Sequence, residues 1–291
     1  MSENKLALMK KDVVDVVEKR VDALVKAGKL QIPEDYAPDN AMKSAWLTLV
    51  ETKDKSNKPV LSSCTRDSIA NALLDMVVQG LTPAKKQCYF IAYGQQLTCQ
   101  RSYFGTMAIT KRVDPSISDI LAQVVYEGDT FTYSIERGKK VITKHEQSLG
   151  NVDGKKIVGA YCMVLDQDGV MRKTEIMTWD EILQSWKQSQ VKPVNDNGSL
   201  KAGSTHAKYP AQMAMRTVIN RACKPIVNSS SDTCLVQSFN RANDIQADQE
   251  VAEEIEENAN SEVIDIEEIE PENAEKQPEN EEKTEETGPG F

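Results

Sequence analysis

Near the start of the chain, apolar side chains return every three or four positions: Leu6, Met9, Val13, Val16, Val17, Val21, Leu24 and Val25. That spacing predicts one long helix over residues 4–27, stopped by Gly28. Its apolar stripe either packs on its own domain or meets a second subunit. Pro33 and Pro38 break the chain, and Asn40 is placed to cap a second helix to Val50 with Trp46 and Leu47 inward. Thr65 caps a third, RDSIANALLDMVVQ, in which Ile69, Leu73, Met76 and Val77 share a face and which Gly80 closes. Residues 88–92 are rich in β-formers, 93–96 read as a hairpin turn and 97–100 as the returning strand. A helix over 102–112 follows, ending in a basic pair.

From Ile120 to Met177 the pattern changes. The runs AQVVYEGDTFTYSI, KVITKHE, KIVGAYCMVLD and VMRKTEIM are β-branched or aromatic. Turn signals at Glu127-Gly128-Asp129, Arg137-Gly138, Asp153-Gly154 and Asp168-Gly169 separate them, so an antiparallel meander or a set of hairpins is expected. Thr178 caps a helix to Lys187, and a polar loop covers 189–207. Pro210 opens a last helix, which Pro225 is expected to stop after Lys224. The fold class is α+β, a helical body with a β-hairpin and antiparallel sheet. Beyond Asp244 dense like charge and the lack of any aromatic before Phe291 predict a disordered acidic tail, 244–291. Within it VIDIEEI reads as a short linear motif or as plain linker.

Charge changes the picture. The formal net charge is −10, but residues 244–291 hold 19 Asp and Glu against two Lys, a net of −17. The preceding 243 residues carry 33 basic and 26 acidic side chains, a net of +7, which points to a polyanionic partner. No apolar run approaches the ~20 residues that cross a bilayer, and MSENKLALMKK lacks a signal peptide's apolar centre and cleavage site. A cytoplasmic protein without membrane contact is expected. Six scattered cysteines never form CxxC, and only His145 and His206 could join them. No metal site, disulfide or other cofactor is expected.

Two stretches carry the candidate chemistry. Residues 80–112 interleave Lys85, Lys86, Arg101, Lys111 and Arg112 with Tyr89, Phe90, Tyr93, Tyr103 and Phe104, and contain no acidic residue. Stacking on bases and attraction to phosphate are the two terms that single-strand binding needs. Phe90 and Phe104 are expected in the core, with Tyr103 the better exposed ring. In PAQMAMRTVINRACK, steps of 100° put Arg216, Asn220, Arg221 and Lys224 on one side and Met215, Val218, Ile219, Ala222 and Cys223 on the other. No acidic residue lies between His206 and Ser231 to pair with those cations. Lys208 and, in KVITKHE, Lys144 are weaker additions.

Catalysis finds little support. There is no GxxxxGK[ST] and no GxSxG. Pro38-Asp39 followed by Glu51-Thr-Lys53 imitates the PD…ExK pattern of metal-dependent nucleases, but that chemistry needs both carboxylates on adjacent strands. Here they bracket a predicted helix. No catalytic residue is assigned.

Three ordered segments resemble the RecT family of phage single-strand annealing proteins. They are GLTPAKKQCYFIAYGQQLTCQRSYFGTMAI, VVYEGDTFTY with the following HE, and YPAQMAMRTVINRACKPI. Together they span roughly 65–230. Ala92 stands where the family usually has proline, and Met215-Arg216 where Lys-Thr often follows the methionine. The resemblance implies a recombinase that binds single-stranded DNA, assembles into rings or helical filaments and anneals complementary strands to duplex without ATP. It also implies work beside a phage 5′–3′ exonuclease and the host single-strand-binding protein. Residues 1–243 would form the DNA-binding and oligomerisation core. The family's groove would use Arg101, Tyr103, Lys111 and Arg112 from the first segment, and Arg216, Thr217, Asn220, Arg221 and Lys224 from the last. The rival readings are a passive single-stranded nucleic-acid-binding protein and a metal-dependent nuclease.

Overall fold

Residues 3–54, 56–189 and 193–243 are described in a computed structural model. Helix α1 (Glu3–Lys26) buries Met9, Val13, Val17 and Val21, one residue per turn, while Val16 and Val25 face out. Helix α2 (Pro38–Glu51) starts earlier than expected. Pro38 takes the first turn, where its fixed φ suits the helix and its missing N–H costs nothing, so Asn40 lies inside. Trp46 is buried with Leu49, but Leu47 is 68% exposed, on the opposite side from the position expected for it. A single turn, α3 (Val60–Ser63), leads to α4 (Arg66–Val78), on which α1 packs. The Thr65 hydroxyl caps α4 by accepting from Ser68 N–H at 3.3 Å. Gly80 follows at φ +63°, and a Cβ there would lie 2.2 Å from Arg112 Nη1. Strands β1 (Cys88–Tyr93) and β2 (Gln96–Arg101) form the expected hairpin. Helix α5 (Tyr103–Val113) is capped by Ser102, which accepts from Gly105 N–H.

The second half is built on a sheet. Its strands are β3 (Ile117–Tyr126), β4 (Thr130–Glu136), β5 (Lys139–Glu146), β6 (Ile157–Asp166) and β7 (Met171–Thr178). They do not form one meander. β3 pairs with β6, giving the antiparallel order β3-β6-β7, and β4-β5 is a separate hairpin inserted between them. Arg137 and Gly138, both at positive φ, close that hairpin as a two-residue turn demands. Much of it faces solvent, with Ile135 70% exposed. Helix α6 (Trp179–Lys187) carries a full capping box between Thr178 and Glu181. After α7 (Thr205–Lys208) comes α8 (Pro210–Asn228), which lies against the sheet on one side and α5 on the other.

Each half has its own core. One joins α1, α2, α4 and the β1-β2 hairpin; the other joins β3, β6, α6 and α8. Five of the six free cysteines are buried. The α+β class holds. Pro225 does not stop α8, which runs three residues further. Proline there removes only the bond to the Arg221 carbonyl, and burial of Val227 holds the last turn in place. An unforeseen helix, α9 (Thr233–Asn243), buries Leu235 and Phe239 against the first core. Asp39 and Glu51 sit at opposite ends of α2, about 18 Å apart at 1.5 Å per residue, so the nuclease arrangement does not form. The expected disordered tail, 244–291, lies outside the described residues.

Candidate nucleic-acid interface

Helix α8 touches both cores. Being packed on two sides, it buries more of its circumference than a surface helix would, and Arg216 falls inside, 4% exposed. This differs from the helical wheel, which puts Arg216 on the cationic face. Thr217 is also committed: its hydroxyl accepts from Trp186 Nε1 (2.8 Å) and donates to the Met213 carbonyl (2.8 Å). Asn220 is half-buried, while Arg221 and Lys224 reach solvent. The neighbouring sequence offers Arg221 no acid, yet β7 does, with Glu175 Oε1 at 3.3 Å from its Nε.

The first segment divides in the same way. Arg101, at the end of β2, is 5% exposed and donates to Gln79 Oε1 (2.7 Å), Thr106 Oγ1 (3.1 Å) and the Phe239 carbonyl (3.2 Å). Its guanidinium also lies 3.8 Å over the Phe239 ring. Burial, and to a lesser degree the charge of Arg216, lowers its pKa, which still leaves it charged at neutral pH. Arg112 points back under Gly80 and donates to the Gln31 carbonyl (2.8 Å). Lys111 meets Asp119 at 3.6 Å, and Lys144 meets Glu146 at 3.0 Å. Phe90 is buried as expected, but Phe104 is not; it lies half-exposed beside Tyr103, ring centroids 4.1 Å apart. Lys208, with Lys155 and Trp179, lines an open cavity of about 570 Å³ at the start of α8.

Other cations collect where no local sequence pattern marks them. Lys139 and Lys140 at the tip of the β4-β5 hairpin, and Arg172 and Lys173 on β7, line a groove of about 500 Å³. The same groove is lined by Asp114, Glu175 and the apolar Ile117, Val164 and Ile226. Lys140 Nζ donates to the Ile176 carbonyl (2.9 Å) and Lys173 Nζ to the Ala222 carbonyl (2.8 Å). Arg172 pairs with Asp114 at 3.5 Å. Through Glu175 the groove adjoins Arg221 of α8. Only strand alternation on β7, which sets Lys173, Glu175 and Met177 on the side of α8, could have signalled it. The local sequence does not say which strand lies beside α8.

The base of the hairpin is fixed by Asp129. Its carboxylate accepts from Tyr126 N–H (2.9 Å), Gln147 Nε2 (2.8 Å) and Asn151 Nδ2 (3.0 Å), and lies 3.4 Å from His145 Nε2. His145 Nδ1 meets the Tyr161 hydroxyl of β6 at 3.0 Å, and Phe131 stacks on the Tyr161 ring. The hairpin that presents Lys139 and Lys140 is thereby tied to the sheet.

Among the described residues no group of three or more His, Cys, Asp or Glu is placed to hold a metal ion, and no helix is long and apolar enough to cross a membrane. A search of curated proteins finds no match. The family model for RecT matches residues 39–264, which takes in every element from α2 to α9, and the chain belongs to the RecT family, proteins of phage-type single-strand annealing recombination.

Proposed function

We propose that the protein binds single-stranded DNA along the groove between the hairpin tip, β7 and the exposed side of α8, assembles along it, and anneals it to a complementary strand without ATP. The observation that carries this reading is the convergence of Lys139, Lys140, Arg172 and Lys173 on one groove from two strands, with Arg221 of α8 beside it through Glu175. Cations so arranged neutralise successive phosphates and release counterions, which drives binding without reading base edges. Bases left uncovered stay available for pairing, and no covalent step is needed. Lys224 lies exposed about one turn along α8 from Arg221 with Asn220 half-buried near it, Lys111 and Lys144 are surface cations paired with Asp119 and Glu146, and Tyr103 offers a partly exposed ring. Arg101, Arg112, Arg216 and Thr217 support this surface from behind by fixing β2, α5 and α8. Lys208 belongs to the second cavity, at the other end of α8. The phage exonuclease and the host single-strand-binding protein remain the partners that family membership suggests.

The test is binding and annealing of complementary oligonucleotides without nucleotide triphosphate, with electron microscopy of the products. Replacing Lys139, Arg172 or Lys224 with alanine is expected to weaken binding alike for all sequences. For single strands each lost phosphate contact lowers the slope of log affinity against log salt by about 0.7. Wild-type protein that neither speeds pairing nor assembles on DNA would sink the proposal.

A further inference from the structure

The groove offers contacts to phosphate, which single and double strands share. Telling an unpaired strand from a duplex needs a surface on which a base can stack. The cavity of about 570 Å³ at the start of α8 has one. Trp179, the first residue of α6, lines it half-buried with Leu183 and Leu200, and Lys155 and Lys208 stand exposed on the same walls. Among the described residues neither lysine side chain has a hydrogen-bond or ion-pair partner, unlike Arg172 and Arg221 in the groove. Asp153 is the one acid of the lining, and its Oδ1 accepts from the Lys155 N–H at 2.9 Å. The ring is held in place. The Thr178–Glu181 capping box fixes its backbone, and Trp186 meets it edge to face, ring centroids 5.4 Å apart. Trp186 is itself tied to Thr217 on α8. The loop carrying Lys155 is set against the same helix, for a Cβ on Gly154 would lie 3.1 Å from Pro210 Cγ.

We propose that this cavity takes an unpaired nucleotide of the bound strand, its base against Trp179, Leu183 and Leu200 and its flanking phosphates on Lys155 and Lys208. The inference deepens the reading of the protein as a single-strand binder and rests on it. A rigid ring beside two open cations suits a ligand that is both planar and anionic, which a nucleotide is and an acidic peptide is not. The volume is that of a small-molecule site, roughly 300–1,000 Å³. One strand can reach both places. From Pro210 to Arg221, α8 covers about 17 Å at 1.5 Å per residue, about five steps of a stacked strand at 3.4 Å each. In a duplex the base is already stacked and paired, and entering the cavity would first cost its unstacking. The cavity therefore favours the single strand and releases it as pairing proceeds.

The test uses the full-length protein and oligo-dT carrying 5-iodouracil, which on irradiation joins to an aromatic ring it stacks on. Mass spectrometry is expected to find the link on Trp179. Trp179→Ala should bind oligo-dT about tenfold more weakly, a loss of the size that stacked bases give, while its affinity for a blunt duplex of the same length stays that of the wild type. Trp179→Phe should restore most of the single-strand affinity, and thermal melts of both variants separate loss of stacking from loss of fold. Lys155→Gln together with Lys208→Gln leaves the ring packing alone and should lower the single-strand salt slope by about 1.4, two phosphate contacts at about 0.7 each. Links confined to other rings, such as Tyr103 or Phe104, would overturn the proposal, as would equal losses for single strand and duplex. Displacement of the Trp179 link by micromolar ATP would make the cavity a mononucleotide pocket and overturn it too. Wild-type protein that binds no oligo-dT at any salt would refute the single-strand reading itself, and the proposal with it.

Discussion

Replacing Asp129 with asparagine should loosen the hairpin that carries two of the groove cations. The carboxylate accepts hydrogen bonds from three elements, the end of β3, the segment after β5 and the turn holding Asn151, and approaches His145 as well. An amide of the same shape presents an N–H₂ to donors, so at least one buried donor loses its acceptor at a cost of about 1–3 kcal/mol. The remaining bonds lose their charge assistance, and the combined loss comes to about 3 kcal/mol. For a domain of this size that lowers the melting temperature by about 6–12 °C. Thermal melts at neutral pH measure it, and hydrogen exchange should show protection lost first across 130–146. Acid titration gives a second readout. Burial raises the Asp129 pKa, but the hydrogen bonds led by Gln147 and Tyr126 outweigh it and hold the group at about 2. A carboxyl held below its ordinary value stabilises the fold above about pH 4, and that share is lost as pH falls toward 2. Asp129→Asn should flatten that limb. If the variant melts with the wild type and keeps the same acid limb, Asp129 does not organise the hairpin.

Other side chains make separable predictions. Arg221→Ala breaks a half-exposed ion pair, so folding stability should change by less than about 1 kcal/mol, while single-strand affinity drops. Glu175→Gln removes the competing carboxylate and should raise affinity, both read by fluorescence anisotropy. Arg101→Ala should do the reverse of Arg221→Ala. It strips the buried Gln79 and Phe239 oxygens of their donor and is expected to cost about 3–5 kcal/mol in urea unfolding, as breaking buried charged networks does. Burial, with the Arg216 charge second, lowers His206 to about 4. The unfolded chain then takes up a proton that the folded one refuses, so stability falls as pH drops from about 6.5 toward 4, by up to about 2 kcal/mol at pH 5. His206→Gln should remove that slope from melts taken between pH 7.5 and 5.

The elements were legible wherever one residue or one period decided them. Thr65, Ser102 and Thr178 each accept from a backbone N–H at the start of a helix, as their side chains favour. Arg137-Gly138 closes a hairpin because both residues accept positive φ. Topology was another matter. The pairing of β3 with β6 skips 30 residues of chain, and no local signal separates it from a meander. Helix α9 is hard to foresee because its two core residues, Leu235 and Phe239, gain their worth only from the core they meet.

The candidate site was harder to read, for an electrostatic reason. A cation in a sequence without acidic neighbours looks unpaired, but a folded chain supplies partners from far away, as Glu175 does for Arg221 and Asp119 for Lys111. A helical wheel divides residues into one inner and one outer side, whereas α8 is packed on two, which puts Arg216 inside with Met213 and Val218. Other groove cations come from elements that the wheel does not include. Lys139 and Arg172 lie on β5 and β7, strands of separate sheets whose own sequences are mixed in charge, and only the fold sets them on one groove beside α8. Charge along the chain therefore points to a polyanionic partner, while the three-dimensional pairing of each cation decides which of them stands open to one.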